Sequence, residues 1–191
     1  MGIEIDDDIG RFDVSVDDSQ ENGGYCSIAL DSADEPHISY HIPEQLRYAY
    51  WDGSAWVTAA IRWFEVGKFT SIALDSNGYP HITCFHEWSR EGKYSMWDGA
   101  DWQHGTFDSD GDVGWCTSLV LGADDLPQIS YTEGGGGELR FARRSEGSWI
   151  TETVVSAGNT GYNTSLKLDS QGNPHIAYSD LTDSKIYYAT P

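Results

Sequence analysis

Asp75-Ser-Asn-Gly-Tyr-Pro80-His-Ile-Thr-Cys84 is the stretch on which the fold turns, because the 191-residue chain contains it four times in variant form. Preceded by Ser71-Ile-Ala-Leu, it matches Ser27-Ile-Ala-Leu-Asp-Ser-Ala-Asp-Glu-Pro36-His-Ile-Ser-Tyr40. It matches again at Ser118-Leu-Val-Leu-Gly-Ala-Asp-Asp-Leu-Pro127-Gln-Ile-Ser-Tyr131 and at Ser165-Leu-Lys-Leu-Asp-Ser-Gln-Gly-Asn-Pro174-His-Ile-Ala-Tyr178. The four prolines stand 44, 47 and 47 residues apart, a period that marks a repeat architecture.

Each copy reads as short strands punctuated by turns. Ser-Ile-Ala-Leu is one strand. Asp, Ser, Asn and Gly then supply the side-chain acceptors and left-handed backbone that tight turns need. Proline opens the second strand, where a missing ladder donor does least harm. A third strand follows at Leu46–Tyr50, Gly92–Met96, Leu139–Arg143 and Ile186–Thr190, and a fourth opens on Trp56, Trp102 or Trp149.

The units run over about 27–62, 71–108, 118–155 and 165–190, and the last lacks its fourth strand. Asp8-Ile-Gly-Arg-Phe12 is similar to Asp52-Gly-Ser-Ala-Trp56, so residues 8–17 can supply that strand. The expectation is a single all-β domain over residues 1–191. It is a four-bladed β-propeller of four-stranded antiparallel blades, the last closed by the N-terminal strand. Closure requires Arg11 to Val16 to lie beside Ile186 to Thr190; the ring, its two faces and the ligand rim all depend on it. It would remove the open sheet edge and give a monomer. A larger ring completed by oligomerisation is the alternative.

The pattern Asp-Ser-x-Gly-x-Pro-His-Ile-Ser-Tyr, followed by Leu46-Arg-Tyr-Ala-Tyr-Trp-Asp-Gly-Ser-Ala-Trp56, resembles the blades of bacterial and archaeal secreted propellers. The Trp51-Asp-Gly-x-x-Trp56 turn is similar to those of lectin propellers, and in size the chain resembles four-bladed hemopexin-like domains. The resemblance covers about residues 8–191. It implies the fold, an extracellular setting and carbohydrate as a ligand class. It implies no residue-level role, because propellers host many functions.

Lys plus Arg total 11 against 31 Asp plus Glu, a net charge of −20. That excludes nucleic acid as a partner and disfavours anionic membrane surfaces. No apolar run is long enough to span a bilayer. Met1–Gly10 carries Glu4, Asp6, Asp7 and Asp8 and no secretory signal, so the compartment stays open. Cys26, Cys84 and Cys116 form no zinc pattern and read as free thiols, with one bridge plus a spare as the alternative.

His37, His81 and His175 recur once per unit, with Gln128 in the third, and each is expected to bond a backbone group within its own blade. The recurring Trp56, Trp102 and Trp149 are expected to pack between sheets. Residues that break the repeat are better functional candidates, because packing does not require them. On the expected loop face these are His41, Glu44, Trp63, His86, Glu87, Trp88, Arg90, Trp115, Glu133, Tyr162 and Asp180, with Tyr25, Phe64, Glu65 and Asp183 nearby. Aromatics mixed with carboxylates suit a sugar ring and its hydroxyls, or a basic peptide. Asp108, Asp110 and Asp112 alternate and could wrap Ca²⁺, the one cofactor the sequence offers. Leu119 stands where an EF-hand has its Glu, and a solvated acidic loop is the plainer reading. His86 with Glu87, or Glu133 with Asp180, could supply acid and base, but no nucleophile, phosphate-loop or zinc motif accompanies them. The expected function is a non-catalytic binding propeller for carbohydrate, with a protein-interaction or scaffold module as the alternative.

Overall fold

Strand follows strand through turns too short for a crossover, so each repeat pairs as an antiparallel meander. The structure, a computed structural model, describes residues 4–6, 11–13, 15–18, 23–63, 66–135 and 137–191, and for 4–6, 11–13 and 63 the backbone alone. β1 (Glu4–Asp6) pairs with β2 (Arg11–Asp13). Sheet one comprises β3 (Gly24–Leu30), β4 (Pro36–Ile42), β5 (Gln45–Trp51) and β6 (Trp56–Trp63). Sheet two comprises β7 (Val66–Leu74), β8 (Pro80–His86), β9 (Glu91–Trp97) and β10 (Trp102–Asp108). Sheet three comprises β11 (Val113–Leu121), β12 (Pro127–Glu133), β13 (Glu138–Ser145) and β14 (Ser148–Val155). Sheet four has three strands, β15 (Tyr162–Leu168), β16 (Pro174–Asp180) and β17 (Lys185–Ala189). All neighbouring strands within a sheet are antiparallel, and the expected strands fall where the repeat placed them.

The core lies between sheets rather than within them. Leu46 and Tyr48 of sheet one pack against Ile72, Ile82 and Cys84 of sheet two. Tyr94 and Phe107 meet Leu119, Ile129 and Tyr131 of sheet three, and Leu139 and Phe141 meet Leu166, Ile176 and Tyr178 of sheet four. Trp102 and Trp149, which open the outer strands of sheets two and three, lean edge-on against the preceding sheet. Trp102 lies 5.6 Å from Tyr48 and Trp149 lies 5.2 Å from Tyr94, which is the packing role expected for them.

Polar groups repeat at the same junctions. The amides of Ile72, Leu119 and Leu166 donate to the hydroxyls of Ser27, Ser71 and Ser118 at 3.2, 3.0 and 3.0 Å. Thr70 donates to Ser39, Thr83 to Thr117 and Thr164 to Ser130, at 2.8, 3.0 and 2.7 Å. Gly67, Gly114 and Gly161 hold positive φ. A Cβ there would come within 3.0, 2.6 and 3.0 Å of the Cα of Leu46, Gly92 and Leu139 in the preceding sheet. The repeat thus keeps glycine where neighbouring backbones press together.

Closure by the N-terminal strand is not found among the described residues. Arg11–Asp13 lies against Glu4–Asp6, with Phe12 opposite Ile5 and Arg11 opposite Asp6, and not along Ile186–Ala189. That pairing joins strands only four residues apart in sequence, so it is the more local of the two. Val14 lies outside the described residues. Val16 and Asp17 nevertheless sit where a preceding outer strand would end. Val16 packs on Tyr40, Ile42 and Ala49, and Asp17 accepts the Tyr40 hydroxyl at 2.6 Å and faces Arg47 at 3.2 Å. Asp108 of β10 does the same for Tyr131 and Arg140, at 2.6 and 3.3 Å.

Candidate functional site

The innermost strands bring the start of each repeat to one place. Tyr25-Cys26, Phe69-Thr70, Cys116-Thr117 and Asn163-Thr164 occupy one pair of repeat positions, and together they line a recess of about 380 Å³, within the size range of ligand sites. The first member of each pair holds a left-handed backbone, with φ of 49, 54, 49 and 49° for Tyr25, Phe69, Cys116 and Asn163. Such φ is costly without glycine and persists where surrounding structure enforces it. Here the register shift between Gly24 and Cys26, repeated in the other sheets, marks a bulge that aims the side chain. The four residues at this position differ although the glycine two residues before each is invariant and threonine follows in three of the four, so the lining is individual to each sheet.

Two lining residues, Tyr25 and Phe69, begin an aromatic row that Trp115 and Phe85 continue. Tyr25 and Phe69 stand 4.5 Å apart, Phe69 stacks on Trp115 at 5.3 Å, and Phe85 closes on Trp115 at 5.1 Å. Trp115 is fixed by its indole N–H, which donates to Asp112 at 2.9 Å, and its ring presses on Gly134, where a Cβ would fall within 2.9 Å. Gly134 therefore has a packing reason beyond loop flexibility. Burial raises the Cys116 thiol above its ordinary pKa and pushes buried Cys84 up to about 12, so neither is an activated nucleophile. All three cysteines are free.

The predicted loop residues separate into groups. His41 stands edge-on to Tyr25 at 6.1 Å; burial and then the nearby Lys68 charge lower its pKa. Lys68 pairs with Glu87 at 2.6 Å. His86 bonds Ser89, which donates to Glu91 at 2.7 Å, and Lys93 joins the same carboxylate. These bonds hold the Glu91 carboxyl below its ordinary value. Trp88 projects from the turn, 85% exposed, away from the recess lining. Arg90 reaches Asp112 at 3.5 Å. Glu44 is an exposed turn residue with φ of 66°. Glu133 is buried and accepts the Gly135 amide at 2.8 Å. Asp180 accepts the Thr182 amide at 2.7 Å, and Tyr162 contributes its carbonyl to Ser179 at 2.6 Å. The side chain of Trp63, and Phe64 and Glu65 entirely, lie outside the described residues.

The three alternating aspartates do not converge. Asp108 is buried against Tyr131 and Arg140, the Asp110 side chain is 96% exposed, and Asp112 turns to Trp115 and Arg90. Among the described residues, no group of three His, Cys, Asp or Glu could hold a metal ion.

The recurring histidines bond a side chain of their own sheet, not the backbone group expected. Nδ1 of His37, His81 and His175 meets the hydroxyl of Tyr48, Tyr94 and Tyr188 at 2.5, 2.5 and 2.6 Å. Asp31, Asp75 and Asp169 lie 3.7, 3.9 and 3.6 Å from the other ring nitrogen. Sheet three replaces all three members together, with Gly122, Gln128 and Phe141. That joint replacement was legible in the sequence and would have identified the tyrosine as the partner. The recess was harder to foresee, since only Tyr25 of its lining stood out as a candidate.

No family model and no curated protein matches the chain. Solved structures do. One is a protein of unknown function from Dyadobacter fermentans, at a TM-score of 0.66 and 9% identity over 85% of this chain and 51% of that one. Another is an ulvan lyase, a polysaccharide lyase, at 0.55 and 17% identity over 81% of this chain and 50% of that one. A third is the NanB sialidase of Streptococcus pneumoniae, at 0.57 and 12% identity over 84% of this chain and 28% of that one. At such identities the likeness shows the fold, a repeat β-propeller-like architecture. The chain spans about half the length of the first of these neighbours.

Proposed function

We propose that the protein is a non-catalytic binding module that receives carbohydrate in the recess at the inner ends of the sheets. The observation that carries this reading is the aromatic pair Tyr25 and Phe69 in the lining, with Trp115 stacked on Phe69 and the polar residues Asn163, Thr70, Thr117 and Thr164 lining the same recess. Flat aromatic faces suit the C–H face of a sugar ring, while a few placed polar groups fix its hydroxyls. The non-catalytic part rests on the lining itself. Among the described residues of the lining there is no carboxylate and no imidazole, and burial raises the Cys116 thiol above its ordinary pKa. The lyase and the sialidase among the structural neighbours act on carbohydrate by name, which agrees with the ligand class and leaves the chemistry of this chain to its own residues.

A glycan array, followed by titration calorimetry, tests this. Binding of a glycan that is lost in Phe69→Ala and kept in Trp88→Ala is expected. If no glycan binds, and a protein partner is instead recovered in a manner that needs Trp88, the interaction-module reading takes its place; the 85% exposure of Trp88 is what favours that second reading.

A further inference from the structure

The three junctions inside the chain are copies of one interface, and the two end faces carry its two halves. At internal junctions the third-strand residues Leu46 and Leu139, with Tyr48, Tyr94 and Phe141, are buried by the next sheet. Their equivalents on sheet four, Ile186 and Tyr188, are 76% and 63% exposed. On the other side of each junction Ile72, Leu119 and Leu166 are buried, whereas their equivalent on sheet one, Ile28, is 62% exposed.

The end faces are matched to each other. Gly23 occupies the position of Gly67, Gly114 and Gly161, yet a Cβ on it would meet nothing nearer than 3.8 Å. At the internal junctions that glycine makes room for the residue equivalent to Ile186. The hydroxyl pairs Thr70–Ser39, Thr117–Thr83 and Thr164–Ser130 have Cys26 and Ala177 as their end-face equivalents. Both members change together, so burying one face on the other strands no hydroxyl. Trp56 stands where Trp102 and Trp149 stand, poised for Tyr188 as they are for Tyr48 and Tyr94. Asp17 already mimics Asp108, the end of a preceding sheet's outer strand.

We propose that sheet four of one chain docks on sheet one of a second copy, and reciprocally, so that two copies related by a two-fold axis close a ring of eight sheets. The occupant is a second copy because the chain carries both halves of the interface, while β2 is engaged with β1 and not with β17. Two is the smallest number of copies in which each end face meets the other in a closed ring, and the four sheets superpose on only about half of larger neighbours, as part of a longer arc would. A head-to-tail contact that closes at two copies buries both faces and leaves no growing end. This inference rests on the junctions and is independent of the carbohydrate reading.

Light scattering on the unmodified chain is expected to give twice 21.2 kDa, and a stable mass of 21.2 kDa across micromolar concentrations overturns the proposal. Two exposed-site variants guard against misfolding. Ile28→Lys and Ile186→Lys are each expected to be folded monomers, and to form a one-to-one heterodimer when mixed; either one remaining dimeric alone overturns it. Ala177→Cys in a Cys116→Ser background places a thiol where Cys26 of the other copy should lie. With oxidised glutathione accepting the two electrons, a disulfide between chains supports the proposal. A disulfide within one chain, or none, overturns it.

Discussion

Leu166 and Ile28 occupy the same repeat position, and one is buried while the other stands 62% exposed. The chemistry of the two side chains is nearly the same; only the presence of a preceding sheet differs. Burial in this molecule is thus a property of the junction rather than of the residue. The energetic consequence is unequal. Leu166→Ala removes methyl groups from a closed junction and should cost about 2–5 kcal/mol, whereas Ile28→Ala in the isolated chain should cost less than about 0.5 kcal/mol. Urea unfolding of both variants at a concentration where the chain is monomeric checks the contrast, and equal losses would break it.

The acidic seam offers a finer version of the same comparison. Asp108 is enclosed between two sheets, with Tyr131 and Arg140 as partners and a side chain 4% exposed, while Asp17 makes the equivalent contacts with a side chain 15% exposed. Asp108→Asn should cost about 1–3 kcal/mol, because it weakens charge-assisted bonds in a buried setting. Asp17→Asn should cost less. Denaturant midpoints of the two variants rank them directly.

Sheets two and three differ in the buried His–Tyr pair, and this difference should be readable in pH. Burial lowers the pKa of His81 and of His37 below the ordinary 6.5, so the unfolded chain binds more protons than the folded one as acid is added. Their stabilising contribution is complete above about pH 6.5 and is lost as pH falls below it. His81→Gln, which copies Gln128 of sheet three, should flatten the decline in stability between pH 7.5 and pH 5. A slope unchanged in that variant would remove His81 from the account. The smallest expected effect is Trp88→Ala. It leaves an exposed turn and should change stability by less than about 0.5 kcal/mol by thermal melting.

The sheets were legible because strand, turn and proline recur at one spacing, and each pairing is local to its repeat. Four-stranded blades followed from Pro80-His-Ile-Thr-Cys84 and its copies without knowledge of any tertiary contact. Closure was not legible in the same way. Phe12 resembles the tryptophans that open outer strands, but pairing it with β17 requires the two ends of the chain to meet, and the adjacent Ile5 segment competes locally. The recess was hidden for another reason. Its lining depends on a left-handed bulge at Tyr25, Phe69, Cys116 and Asn163, and four unlike residues at one position look like noise until backbone geometry shows them facing one space. Asp108, Asp110 and Asp112 alternate in sequence, but what each side chain meets is set by tertiary contacts that spacing does not show, such as the cross-sheet bond of Asp108 to Tyr131.

The end faces are where these threads meet, and a crystal structure of the chain in the assembly it forms in solution tests them most directly. The account predicts Trp56 of one copy edge-on to Tyr188 of another, with Gly23 against Ile186 across the same boundary. Finding Arg11–Asp13 paired along Ile186–Ala189 of its own chain, in a four-sheet ring, would contradict it.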